Sequence, residues 1–264
     1  MPDTRIDLDQ ALELVRTGDL WLFRGRTAAD RMIQTTTNSP VNHVGMAIVL
    51  EDLPPLLWHA ELGKSLPDLW SGTRQRGVQL HDLRAAVEVW GRRYGQQGWL
   101  RQLLPGARPE QEDAALRTVA RLDGTPFPTT AQLAGHWLRG RLPHLAVAER
   151  SRRRWPGQRR QGRRTLPDPA ASADSAVPAD PVTSAPSVTS APSVMSEDPA
   201  APAGLETAYC AEVVALTYEA MGLLPHGRRP NWYDPGRFWS GDSLELADGF
   251  TLGGEIAVAL PDAT

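Results

Sequence analysis

The alternation of apolar and polar positions is clearest between residues 43 and 62. There HVGMAIVL (43–50) and PLLWHAEL (55–62) are two strand-like runs joined by the turn-rich EDLPP, which predicts an antiparallel hairpin. Alternation puts His43, Gly45, Ala47 and Val49 on one face of the first strand, and Leu57, His59 and Glu61 on one face of the second. Upstream, Asp7 with Gln10 three residues later, followed by apolar residues at helical spacing, predicts a capped helix that Gly18 ends. GDLWLFRG reads as a buried strand and residues 28–36 as a polar helix. Downstream, GVQLHDL (77–83) and AAVEVWG (85–91) read as further strands. Behind Pro109, residues 110–123 carry Leu116, Val119, Ala120 and Leu122 at helical spacing. AYCAEVVALTYEAMG (208–222) reads as an amphipathic helix that starts near Thr207, whose hydroxyl caps it, and that Gly222 and Pro225 close; residues 249–260 form a last strand.

Between 149 and 204 the composition changes. ERSRRRWPGQRRQGRR contains eight arginines, and a Pro/Ala/Ser/Thr/Val tract follows in which TSAPSV occurs twice in succession. Such a stretch has too few large apolar residues to offset the entropy of ordering it, so it is expected to be a disordered insertion. The folded material is then residues 1–148 and 205–264, a single α+β domain. The run from Arg150 to Arg164 offers a weak contact to an anionic partner, with a solvated basic linker as the plainer reading. Over all 264 residues, 41% hydrophobic content and a net charge of −3 suit an ordinary globular protein and give no overall reason to expect nucleic acid. The first residues lack the basic start and apolar run of a secretory signal, and no apolar stretch reaches the roughly 18 residues a membrane span needs. With one cysteine there is no intramolecular disulfide, and the expected compartment is the cytoplasm.

That cysteine, Cys210, falls in the first turn of its helix, where unpaired amides and the macrodipole favour negative charge. It is open to two readings, a buried small residue or a nucleophile. As a nucleophile with an imidazole partner it would have a thiol pKa below about 7.5. His43 opens an apolar strand directly after a loop, a position from which a base reaches substrate. Parity allows either His59 or Glu61 to be its polar neighbour. No CxxC, HxxxH or HExxH spacing points to a metal, and no phosphate- or dinucleotide-binding glycine pattern or GxSxG elbow occurs, so no cofactor is expected. His81, His136, His144 and His226 read as ordinary loop or core residues.

Taken together, GDLWLFRG, SPVNHVGMAIVL, LLWHAE and, much later, YCAEVVALTYEAMGLL resemble the circularly permuted branch of the NlpC-like papain-fold superfamily. That branch includes the YiiX-like bacterial proteins and the lecithin retinol acyltransferase group. Histidine comes first, a second polar residue one strand later and cysteine last, the reverse of an ordinary papain-like chain. DGTPFP (123–128) is similar to the Gly-x-Pro-Tyr element before the cysteine helix, and RPNWYDPGRFW (229–239) to the segment after it. The resemblance implies a permuted papain-like fold with a small antiparallel sheet flanked by helices. It implies Cys210 as nucleophile, His43 as general base and then acid, and His59 as the group that orients His43, with Glu61 as alternative third member. The Cys210 backbone N–H would meet the oxyanion and Tyr209 would shape the pocket. The implied reaction is acyl transfer through a thioester on a peptide or an acyl lipid, with no cofactor, as a hydrolase or acyltransferase. A non-catalytic lipid- or peptide-binding module of the same fold is the alternative. Oligomeric state is not legible.

Overall fold

In the computed structural model, which describes residues 5–128, 208–242 and 244–260, the first element is set by a reciprocal cap. Asp7 Oδ1 accepts from the Gln10 amide at 2.8 Å and Gln10 Oε1 from the Asp7 amide at 3.2 Å, which starts α1 (Leu8–Leu14). The helix stops before Gly18. That glycine, at φ 93°, instead turns the chain into β2 (Leu20–Arg24) and bonds its amide to Ala47 O. A second reciprocal cap at Thr27 and Asp30 begins α2 (Ala28–Thr37).

β3 (His43–Ile48) and β4 (Leu56–Glu61) form the expected antiparallel hairpin, with Met46 opposite Trp58 and Ala47 opposite Leu57. β5 (Gly77–Asp82) pairs with β4 so that His59 faces Gln79 and His81 faces Leu57. With β1 (Arg5–Asp7), β6 (Gln97–Arg101) and β9 (Ile256–Ala259), these strands build one seven-stranded sheet in the order β1-β9-β6-β2-β3-β4-β5. β1 runs parallel to β9, so the sheet is mixed and larger than the small antiparallel sheet expected. β7 (Leu103–Leu104) and β8 (Thr251–Leu252) form a separate ribbon. The described residues lie in one compact unit drawn from both ends of the chain. The expected disordered insertion (149–204), with its Arg-rich run, lies outside them.

Each strand sends alternate side chains into one of two cores. Val44, Met46, Ile48, Trp58, Val78 and Leu80 pack with α4 (Pro109–Leu122) and α5 (Cys210–Ala220) on one face. Trp21, Phe23, Ala47 and Leu57 pack with α1, α3 (Leu83–Glu88) and Trp90 on the other. The architecture is thus α+β, a mixed sheet between helical layers. α5 is tied to the sheet by Trp58 Nε1, which donates to Thr217 Oγ1 at 3.0 Å, and to the β2 turn by Tyr218 Oη, which donates to Gly18 O at 2.5 Å. Residues 210–218 are buried all round, so the helix is not amphipathic; it crosses the molecule between the sheet and α4 and the 229–239 segment.

Two expectations fail for local reasons. Residues 85–91 are helical: Asp82 Oδ1 caps α3 by accepting from the Ala85 amide at 2.7 Å, and Leu83, Ala86, Val87 and Trp90 bury one helical face through a π-helical turn at Val89–Arg93. Cap and spacing override the strand preference of Val87, Val89 and Trp90. The last strand is two, β8 and β9, separated at Gly253 and Gly254. No helix among the described residues is long and apolar enough to cross a membrane.

Trp58→Phe removes the indole donor that joins β4 to α5. The urea midpoint should fall by the equivalent of about 1 kcal/mol with an unchanged m-value; an unchanged midpoint would mean that the bond does not hold the helix to the sheet.

Candidate active site

The entry to α5 is stitched to β5 by DGTPFP. The Gly124 amide donates to Val78 O at 3.0 Å, Val78 to Thr125 O at 2.8 Å, and Ala208 to Pro126 O at 3.0 Å. Gly77 makes this approach possible: its φ is 123°, and a Cβ there would lie 2.2 Å from Thr125 O. Tyr209 is the N-cap residue and gives no side-chain cap; Thr207, expected in that role, lies outside the described residues. The Tyr209 hydroxyl instead shares its one proton between Asn231 O, at 3.1 Å, and Tyr233 O, pinning the segment after the helix against its start. Glu212, which sequence reasoning passed over, reaches back to the Tyr209 amide as the third residue of the helix. Burial lifts its carboxyl to about 7 against that bond. An acid three residues after an N-cap is the signal that could have found it.

Cys210 is the first residue of α5 and is 6% exposed. Its sulfur lies against the backbone N–H groups of Val44 and Ala211 and its own, all of which favour thiolate, yet desolvation outweighs them and pushes the thiol up to about 11, with the charge of Asp234 acting the same way. The expected pKa below about 7.5 is therefore overturned. A helix N-terminus lowers a thiol pKa only while the sulfur keeps enough solvent to hold the charge, and this one does not.

Across β3, β4 and β5 the structure forms a line of three imidazoles. His43 Nε2 lies 3.1 Å from His59 Nδ1, and His59 Nε2 lies 3.1 Å from His81 Nδ1. His43 reaches the surface, whereas His59 and His81 are fully buried. Trp90 forms the floor: its ring meets His43 edge-on at 5.2 Å and His59 at 5.1 Å, and its Nε1 donates to Ser65 Oγ at 2.9 Å. Gly45 makes room between His43 and the next strand, since a Cβ there would sit 2.7 Å from Leu57 Cδ1 and 3.2 Å from His59 Cβ. Desolvation lowers all three rings, His43 to about 3 and His81 to about 4, with the charge of His81 adding to the effect on the other two; Asp68 opposes the shift at His81.

The neighbour of His43 is thus His59. Glu61 turns away, accepting from the Ser65 amide at 3.3 Å, and burial raises its carboxyl. His81, read as an ordinary residue, belongs to the line; its parity with Gln79 on a strand paired to β4 was the available signal. His226 pairs with Glu219 at 3.1 Å, and His136 and His144 lie outside the described residues. Because His59 gives one nitrogen to each neighbour, the three rings do not converge on a single point. Thiol and imidazole flank the start of β3 from opposite sides: Cys210 packs in the core that holds Val44, and the His43 ring packs on Phe23 and Trp90 in the other. Among the described residues no hydrogen bond joins them. A cleft of about 500 Å³ is lined by Asn38 and Pro40 of the loop before β3 and by Asp234, Arg237 and Trp239 after α5; neither Cys210 nor His43 lines it, and Asp234, whose charge acts on the thiol, is its link to the site.

No protein-family model and no curated protein matches this chain. Among solved structures there is a loose likeness to YiiX from Escherichia coli O157:H7, titled a metalloprotein, at 21% identity and a TM-score of 0.33 over 43% of this chain. The match spans about half of YiiX, 53% of its chain. The metal is a property named for that protein.

Depressed imidazoles make stability depend on pH. Between the ordinary histidine value and the folded values, the unfolded chain binds more protons, so stability is full above about 6.5 and is lost as pH falls towards 4 and 3. Each ring contributes a slope of up to about 1.4 kcal/mol per pH unit. The raised carboxyls of Glu212, Asp19 and Asp123 act in the opposite sense over the same range, so the ring's share is read against a variant: in urea titrations the stability of the protein relative to His81→Leu should fall from pH 7 to pH 5, and a difference that does not change with pH would contradict a neutral, buried His81.

Proposed function

We propose that the protein is a thiol-dependent hydrolase or acyltransferase acting on an amide or ester of a peptide or acyl lipid, with Cys210 as nucleophile, His43 as general base and acid, and His59 orienting His43. The observation that carries this reading is the His43–His59 hydrogen bond, which begins at the surface one residue before the amide that lies against the Cys210 sulfur. The circularly permuted papain-like fold implied by the sequence motifs belongs to the same reading. So does a reducing, cytoplasmic location for the free thiol.

The chemistry follows from the neutral resting groups. As the sulfur attacks the acyl carbon, the S–H proton passes to His43 Nδ1, a C–S bond forms and the carbonyl π electrons move to oxygen. The Cys210 amide at the helix N-terminus stabilises that oxyanion. Collapse expels the amine or alkoxide, which takes the proton from His43 Nδ1 and leaves a thioester. Water or an acceptor hydroxyl or amine then gives a proton to His43 and attacks the thioester. The second tetrahedral species releases the acyl product, and the proton on His43 returns to sulfur. His59 holds Nε2 of His43 throughout, which leaves Nδ1 as the nitrogen that exchanges the proton. In this reading the cleft between Pro40 and Trp239 holds the part of the acyl donor remote from the reacting carbon, with its lining residue Asp234 on the side of the Cys210 thiol.

The raised thiol and the absence of a bond to His43 favour a second reading, a binding module in which the same cleft holds a peptide or lipid without turnover. An activated p-nitrophenyl acyl ester distinguishes them. The enzyme reading predicts a burst of one nitrophenolate per chain and an intact-mass increase of one acyl group, both absent in Cys210→Ala. His43→Ala should slow the burst by about 10² or more. No mass increase in the folded protein would leave the binding module standing.

A further inference from the structure

The line of imidazoles does not end at His59. Each N···N contact needs one donor and one acceptor, and each neutral ring carries a single N–H, so the line has only two consistent arrangements. In one, every ring is protonated on Nε2: His43 donates to His59, His59 donates to His81, and His43 Nδ1 is a bare lone pair. In the other, every ring is protonated on Nδ1, both donations reverse, and His43 presents an N–H with no basic nitrogen. The choice is made collectively, and its buried terminus is His81, fully shielded, with Nε2 lacking a hydrogen-bond partner among the described residues.

The surroundings of that terminus favour one arrangement. Either direction leaves one buried polar atom at His81 Nε2, a donor or an acceptor. Asp68 is the larger charge acting on the His81 ring and favours added proton there; Arg74 opposes it more weakly. Asp68 itself is held in place, accepting from the Leu80 amide at 2.9 Å and the Ser71 amide at 2.7 Å. Its negative potential makes the donor the less costly occupant of the buried end.

We propose that His81 is a positioning residue which, through His59, fixes His43 in the Nε2–H tautomer and so keeps His43 Nδ1 free to take a proton. The proposal rests on His43 being the general base, but the tautomers belong to the resting protein and can be read whether or not Cys210 turns over. It distinguishes His81 from a merely structural core residue: its loss changes which nitrogen of a ring two hydrogen bonds away is protonated.

The test is long-range ¹H–¹⁵N correlation spectroscopy of ¹⁵N-histidine-labelled full-length protein at pH 7. His43, His59 and His81 should all show the Nε2–H pattern. In His81→Leu, the His43 signals should move towards a mixture of tautomers, while His81→Gln, whose side-chain carbonyl can accept from His59 Nε2, should retain the single pattern. The acyl-ester burst should fall by roughly tenfold in His81→Leu, as for other partners that orient functional histidines, and be restored in large part by His81→Gln. If His81→Leu does not fold, the unmodified protein still decides: an Nδ1–H or mixed pattern at His43 overturns the proposal. A folded His81→Leu with unaltered His43 tautomer overturns it as well. A single Nε2–H pattern that scrambles on His81→Leu, in a protein that gives no burst, sinks the enzyme reading and leaves the positioning intact.

Discussion

The two-residue alternation across β3, β4 and β5 is the constraint on which the rest depends. Pairing Met46 with Trp58, and Trp58 with Leu80, commits every odd position of β3 and its cross-strand neighbours to one face. That face receives His43, Gly45, His59, Gln79 and His81, and the opposite one receives the apolar residues that support α5. A one-residue slip would drive three imidazoles into the layer beneath a fully buried helix. The hydrophobic pattern that folds the sheet therefore also assembles the polar line, and Gly45 is the small residue that lets the rings approach across the hairpin.

The same packing sets the electrostatics. A helix buried on every side brings its first residue out of water, and the cost of charging Cys210 there exceeds what three backbone amides return. The imidazoles are neutral for the same reason. In the proposed reaction the proton therefore passes between neutral groups as sulfur attacks, without a standing thiolate–imidazolium pair. That reaction needs thiol, imidazole and acyl carbon to be brought together at the start of β3.

The hairpin, its parity and the helix behind Cys210 were legible because alternation over six residues and an apolar run that Gly222 ends are local signals. The choice between His59 and Glu61 was not: parity admits both, and the register that decides it comes from pairing with β5 and from the Ser65 turn that takes up Glu61. His81 was hidden for the same reason, since its partner lies 22 residues away. Residues 85–91 misled because Val and Trp suit strands, while the Asp82 cap that makes them helical sits just outside the run. The thiol pKa was misjudged because helix position is written in the sequence and desolvation is not.

The most direct test of the central claim is a crystal structure of the protein carrying an acyl group trapped on Cys210. The account predicts a thioester on Sγ with its carbonyl oxygen at the Cys210 amide, His43 Nδ1 facing the acyl carbon, and His43 Nε2 still bonded to His59. An acyl group attached elsewhere, or a thioester on Cys210 with His43 Nδ1 out of reach of the acyl group around the start of β3, would contradict it.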